Sequence, residues 1–275
     1  MEAPGFSPAN EYAKCGGFSR GTPRLKPASI GRIGGPAKAR PFHHFLRTLL
    51  LQVSIGFLTT ASAQDVNVTG KVVPEGASTA TQTVVWLSPL GAAADSTPVA
   101  PMHATLTQHN KMFEPHLLVV TRGSSVDFPN RDPWFHNVFS LFNGKRFDLG
   151  LYEAGTTRTV HFDREGISFI FCNIHPEMSA VVVVLGSPYF AVTNKQGGFD
   201  IPQVPAGRYM LHVWNESAQP AALQALSREV QIGDASHSLG VLRVPVTKSA
   251  TLAHKNKYGQ DYEPPSPSNP VYVQP

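Results

Sequence analysis

Within seven residues the chain places a thiolate, an imidazole and a thioether, at Cys172, His175 and Met178. Apolar runs flank them, Phe169-Ile170-Phe171 before and Ala180-Val181-Val182-Val183-Val184 after. A short loop held at both ends by strands can aim three side chains at one point. A second imidazole is available at His136, in Asn130-Arg131-Asp132-Pro133-Trp134-Phe135-His136-Asn137-Val138. Two imidazoles, one thiolate and a remote thioether form a donor set suited to copper in electron transfer. Cupric and cuprous ions prefer different geometries, and a site that holds both in one compromise arrangement minimises rearrangement when an electron moves. His136, Cys172, His175 and Met178 are therefore the expected metal ligands, with one mononuclear copper ion as the cofactor.

Cysteine usage agrees with this. The chain has 2 cysteines, and Cys15 falls in the leader described below, so Cys172 stands alone in the remainder. A lone thiol in an exported protein has no internal disulfide partner, and coordination would both use and protect it. A buried inert cysteine is the plain alternative. Taken singly, His136 reads as an ordinary strand histidine, as do His103, His109, His116, His161, His212, His237 and His254. The order and spacing of the four donors separate His136 from them. Met102, Met112 and Met210 are scattered and read as packing residues.

The elements that must position these donors are strands. Glycine and proline together supply 47 of 275 residues, which suits a turn-rich all-β chain. Six short apolar runs, 117–120, 125–128, 136–139, 158–162, 167–171 and 180–185, are separated by Gly123, Asn130, Pro133, Gly144, Gly155 and Gly166. Many short strands divided by turn residues predict a β-sandwich or barrel. Earlier runs at 65–73 and 83–90 read as two further strands. A second β unit follows at 189–193, 199–201, 208–214, 228–232 and 239–244. Beyond Lys248 the composition turns to Pro, Ser, Asn and Tyr, and a mobile tail is expected over 249–275.

Residues 1–63 read as a leader. Arg40 and Arg47 precede the apolar run 48–58, and Ala61-Ser62-Ala63 offers a small-residue cleavage pattern. That run is shorter than the roughly 20 residues a spanning helix needs. The mature chain is thus expected to lack a membrane span and to be periplasmic or secreted. The net charge of +4 belongs to this leader: it carries 8 of the 23 basic residues and 2 of the 19 acidic ones, leaving 15 against 17. No basic groove for nucleic acid is indicated.

The spacing Cys172-x-x-His175-Pro176-x-Met178, downstream of His136-Asn137-Val138, resembles the cupredoxins, the plastocyanin and amicyanin family of small blue-copper proteins. Asp127-Phe128-Pro129-Asn130 with Asp132 is similar to the approach to their first histidine ligand. Residues 155–162 and 166–172 resemble the strands that lead to their cysteine. The likeness spans about 106–186. It implies a Greek-key β-sandwich with Cys172, His136 and His175 as equatorial ligands and Met178 as the axial one. It further implies that Asn137 ties the first-ligand strand to the cysteine loop and that Pro176 stiffens that loop. One departure is Glu177, at a loop position that is apolar in amicyanin, which weakens the expected apolar docking patch.

Residues 65–73 with 83–87, and 194–214, resemble carboxypeptidase-regulatory-like domains, a smaller prealbumin-like β-sandwich. The expected organisation is a leader (1–63), N-terminal strands (64–105), a cupredoxin domain (106–186), a companion β-domain (187–248) and the tail. The N-terminal strands either join the companion sandwich, which the cupredoxin segment then interrupts, or decorate the cupredoxin. The implied function is that of an exported single-electron carrier working between redox proteins such as a dehydrogenase or a cytochrome. The alternatives are a copper-binding or delivery module without redox traffic, and a metal-free structural protein. No catalytic carboxylate pair or nucleophile is visible in the companion unit, and the His-rich motifs of a multicopper oxidase and the second loop cysteine of a dinuclear site are missing. The chain is not read as an enzyme.

Overall fold

The computed structural model describes residues 65–76, 82–141, 144–233, 238–247 and 254–262. The leader and its secretory signal lie outside the described residues, as do 249–253 and 263–275 of the expected tail.

The described chain opens with β1 (Val66–Glu75), β2 (Thr83–Pro89) and a short helix, α1 (Ala92–Ser96). Three-residue strands β3 (His103–Thr105), β4 (Thr107–His109) and β5 (Met112–Glu114) follow. Next come β6 (Leu117–Thr121), β7 (Ser124–Pro129), β8 (His136–Ser140) and β9 (Phe147–Tyr152). β10 (Thr157–Phe162), β11 (Gly166–Phe171) and β12 (Ser179–Leu185) complete this stretch. The last part contains β13 (Phe190–Val192), β14 (Gly198–Val204), β15 (Gly207–Asn215), α2 (Pro220–Leu226), β16 (Arg228–Ile232) and β17 (Ser238–Pro245). The fold is all-β in class. Among the described residues no helix is long and apolar enough to cross a membrane.

Two sheets, ordered β6-β12-β11-β8-β9 and β10-β7-β3, enclose one core. Leu106, Val126, Phe128, Val138, Phe162, Ile170 and Val182 fill it, and Cys172 and Met178 belong to the same cluster. Two others, β14-β1-β17 and β13-β2-β15-β16, enclose a second core built on Val68, Leu87, Ile201, Leu211 and Leu242. Burying each such side chain stabilises the fold by roughly 1.5–3 kcal/mol.

β12 explains its own composition. Ala180, Val182 and Val184 point into the first core, while Val181, Val183 and Leu185 on the opposite face meet Val84 and Trp214. A strand buried on both faces needs no polar alternation, so it reads as a continuous apolar run.

β1 and β2 share their sheets with strands that follow β12. β1 lies antiparallel to β14, with Val68 opposite Ile201, and parallel to β17, with Val72 opposite Leu242. β2 runs antiparallel to β15 from Thr83↔Asn215 to Pro89↔Tyr209. The strands of the first sandwich are therefore inserted between β2 and β13. β3, in the segment read as N-terminal strands, instead pairs with β7.

Two elements carry weak sequence signals. β9 sits at a sheet edge, and Gly150 (φ 69°) and a register shift against β8 break its alternation. α2 spans only 7 residues, less than the window a helical period requires, and Pro220 stands in its first turn.

Candidate metal centre

His136 opens β8, and β8 is paired on both sides, with β9 through His136↔Tyr152 and with β11 through Phe171↔Phe139. Cys172 is the first residue beyond β11, and Met178 is the last before β12. The register Phe171↔Ser179 closes the seven-residue loop between them. Inside the loop the Cys172 N–H donates to the Met178 carbonyl at 3.3 Å, and the Met178 N–H donates to the His175 carbonyl at 3.1 Å. Both ends of the loop are thus fixed by sheet pairing, and its interior by its own backbone.

This frame brings His136, Cys172 and His175 together. The two Nδ1 atoms lie 3.0 Å apart, and Cys172 Sγ is 3.6 Å from His175 Nδ1 and 4.0 Å from His136 Nδ1. Those separations can be spanned by metal–nitrogen and metal–sulfur bonds of about 2.0 to 2.3 Å. The imidazole planes stand at 63°. All three residues are buried, His175 retaining 7% exposure against none for the other two. Met178 is likewise fully buried, in the same core cluster as Cys172. Pro176 and Glu177 are exposed at the loop tip.

Protonation in the metal-free site follows from burial. Desolvation holds His175 down to about 4, with help from the neighbouring His136. Desolvation also lowers His136, although the Asp132 carboxylate pulls the other way. Both rings are therefore neutral at physiological pH, the form that ligates metals. Burial pushes the Cys172 thiol up, and this is partly offset by backbone N–H groups of Asn137, Ile174 and His175 directed at the sulfur.

Asp132 orients the first histidine. Its Oδ2 lies 2.7 Å from His136 Nε2, so that nitrogen carries the proton and Nδ1 presents its lone pair to the cluster. Burial opposes ionisation of Asp132, yet the N–H groups of Lys111 and Asn110 and the His136 ring together keep its carboxyl below the ordinary value. Those amides, at 2.9 and 2.7 Å, come from the turn between β4 and β5, where Asn110 and Lys111 both have positive φ, 53° and 54°. In the sequence Asp132 falls within the approach to His136 with no role assigned to it. The i, i+4 Asp–His spacing was the available signal.

The Asn137 tie takes another form than expected. Its backbone N–H reaches the sulfur, but its side chain donates to Asp148 Oδ1 on β9 at 2.7 Å rather than to the loop. Asp148 in turn binds Lys257 Nζ at 2.8 Å.

Residues 254–262, read from sequence as part of a mobile tail, are packed on the cysteine loop. The Tyr262 hydroxyl donates to the Cys172 carbonyl at 2.7 Å. His254, read as an ordinary histidine, stacks on Phe171 with ring centroids 3.9 Å apart. No periodicity announces such contacts in a Pro- and Asn-rich segment.

No family model and no curated protein matches the chain. Its structural neighbours are cupredoxins. A purple cupredoxin from Nitrosopumilus maritimus is 23% identical, covering 30% of this chain and 99% of that one, with a TM-score of 0.28. An oxidized amicyanin variant is 22% identical over 37% of this chain and 98% of its own, with a TM-score of 0.29. A Cu-containing nitrite reductase from Thermus scotoductus is 19% identical over 42% of this chain and 28% of its own, with a TM-score of 0.30.

Proposed function

We propose that this protein is an exported type 1 copper protein that carries single electrons between redox partners. One buried copper ion is held by His136, Cys172 and His175, with Met178 as the distant fourth ligand. The observation that carries this reading is the convergence of two Nδ1 lone pairs and one sulfur at separations of 3.0, 3.6 and 4.0 Å in a buried pocket. Bound copper supplies a one-electron couple that no side chain here offers. The chain's own residues fix the donors before any metal arrives: Asp132 sets the His136 tautomer, and three backbone N–H groups stabilise charge on the sulfur. His175, next to the exposed Pro176 and Glu177, is the ligand nearest to solvent and marks the face for electron entry and exit.

The partners on this reading are redox proteins, a cytochrome or a dehydrogenase, and the chain is a carrier rather than an enzyme. The periplasm or the extracellular space is its proposed location, and the second sandwich a prealbumin-like companion.

Addition of Cu(II) to the purified protein tests the site. An intense thiolate-to-copper band in the visible spectrum is expected, and its loss in Cys172→Ser. A colourless protein sinks the proposal. Reduction of the loaded protein on mixing with a ferrocytochrome separates a carrier from a metal-binding module without redox traffic.

A further inference from the structure

We propose that the segment 254–262 is a strap that positions Cys172, with Tyr262 and His254 as its positioning residues; this rests on Cys172 being a ligand. Three consecutive residues at the end of β11 each meet the segment. The Phe171 ring stacks on His254 with 25° between planes. The Cys172 carbonyl accepts the Tyr262 O–H at 2.7 Å, and Asn173 Oδ1 accepts the Lys257 N–H at 2.9 Å.

The strap is folded in its own right. Asn256 Oδ1 accepts the Tyr258 and Gln260 amides, each at 3.0 Å, and the Asn256 N–H donates to the Gln260 carbonyl at 2.9 Å. This turn brings His254 and Tyr262 together, with Tyr262 Oη 3.1 Å from His254 Nδ1, and presents Lys257 to Asp148 at 2.8 Å. Asp148 also holds the side chain of Asn137, whose backbone N–H points at the Cys172 sulfur. One segment therefore touches the cysteine's own backbone and, through Asp148, the strand that donates to its sulfur.

The chemistry at Cys172 gives the strap something to do. Phe171 is the last residue of β11 paired to β12 and β8. One residue further the Cys172 amide still finds the Met178 carbonyl, but the Cys172 carbonyl has left the ladder in a fully buried residue. A buried carbonyl deprived of its donor is costly, so the tyrosine O–H fixes the peptide plane that follows Cys172. With the Cys172 amide tied to Met178 and its carbonyl to Tyr262, the N, Cα and C atoms of Cys172 are held from both sides, and those three atoms set the direction of the Cα–Cβ bond that carries the sulfur. Precision at a ligand comes from such supporting contacts.

The test uses the full chain with Cys15→Ser, which leaves Cys172 as the single thiol. In the metal-free protein the rate of its reaction with an aromatic disulfide reports how often the site opens. Tyr262→Phe deletes only the hydroxyl, and with it the bond to the Cys172 carbonyl and the contact with His254 Nδ1, and His254→Ala deletes the stacked ring. The double variant is expected to react about tenfold faster than its parent, and each single variant by a smaller factor. Tyr258→Phe, in the same turn but 71% exposed, is expected to match the parent. After cupric loading, the thiolate-to-copper band of Tyr262→Phe is expected to move in energy, which a contact of merely structural value does not cause. Thiol rates within about twofold of the parent in both single variants overturn the strap, whether or not the double variant folds. A parent that binds no cupric ion overturns the ligand reading instead, while the thiol rates still decide whether the strap guards Cys172.

Discussion

Asp132 Oδ2 lies 2.7 Å from His136 Nε2, and both side chains are almost wholly withdrawn from water, at 3% and 0% exposure. The carboxylate is committed three ways, to the histidine and to the amides of Asn110 and Lys111. It thereby couples the β4–β5 turn to the first residue of β8. A buried anion with both oxygens engaged is a stable anchor, and its removal leaves buried donors without partners.

Asp132→Asn is expected to weaken cupric binding about 10- to 100-fold, the cost typical of losing a partner that orients a ligating histidine. Asparagine cannot substitute, because its NH₂ must face one of three donors that now meet carboxylate oxygens. A chelator competition titration gives the ratio. Affinity equal to the parent's would show that the sheet alone holds His136 in place.

Much of the fold and the centre of the site were legible in the sequence. The six apolar runs between 117 and 185 are all strands, because turn residues bracket each of them and burial on one or both faces fixes their type. The Cys–His–Met loop was legible for the same reason: two strands must bracket it, and three donor types fall within one turn's reach. What surrounds the donors was not. The Asn137 amide turns to Asp148, a residue on an edge strand whose alternation Gly150 interrupts. The strap depends on single hydrogen bonds and one ring stack between residues up to 109 positions apart, and such contacts leave no local period. Pairing of β1 with β17 is equally non-local: the residues alone show only the alternation of β1, and the interrupted sandwich is one of two readings that the resemblance to carboxypeptidase-regulatory-like domains offers.

Leu87→Ala is expected to destabilise the protein by about 2–5 kcal/mol through lost burial and a residual cavity. Leu87 is fully buried in the second core, on a strand flanked by β13 and β15. Urea unfolding measures the loss. Val241→Ala, at a residue 54% exposed, is expected to shift the midpoint little, and equal effects of the two would argue against the core as drawn.

Gly197 is the one glycine of the Asn194–Gly198 turn with positive φ, 81°, and a Cβ there would run into the carbonyl oxygen of Val72 on β1. The two backbones already meet there, since the Val72 N–H donates to the Gly197 carbonyl at 2.8 Å. Gly197→Ala combines the left-handed penalty of about 1–2 kcal/mol with displacement of β1. The melting temperature is expected to fall further than for Gly233→Ala, where, among the described residues, no atom beyond the chain neighbours lies within 4 Å of the added methyl. Similar melting temperatures for the two would show that β1 yields freely.

His116 joins the two sandwiches and sets a pH dependence. It precedes β6, and its Nε2 lies 2.7 Å from Glu216 Oε2, just past β15, while Nδ1 faces the Ser179 carbonyl at 3.1 Å. Both ring nitrogens thus meet acceptors, an arrangement that only the imidazolium satisfies. The hydrogen bond to Glu216 is the largest cause of a folded-state pKa above the ordinary 6.5, with burial opposing it. A raised folded pKa means that the folded protein binds more protons than the unfolded chain between 6.5 and the raised value. The stabilisation is therefore complete below 6.5 and is lost as pH climbs through the folded-state value. The side chain is half exposed, so solvent keeps the effect small. Melting temperatures of the parent and His116→Gln, taken from about pH 5.5 to about pH 9, are expected to differ most at the acid end and to converge at the alkaline end. A gap that widened with pH would mean that His116 is held neutral in the folded protein and that Glu216 stabilises something else.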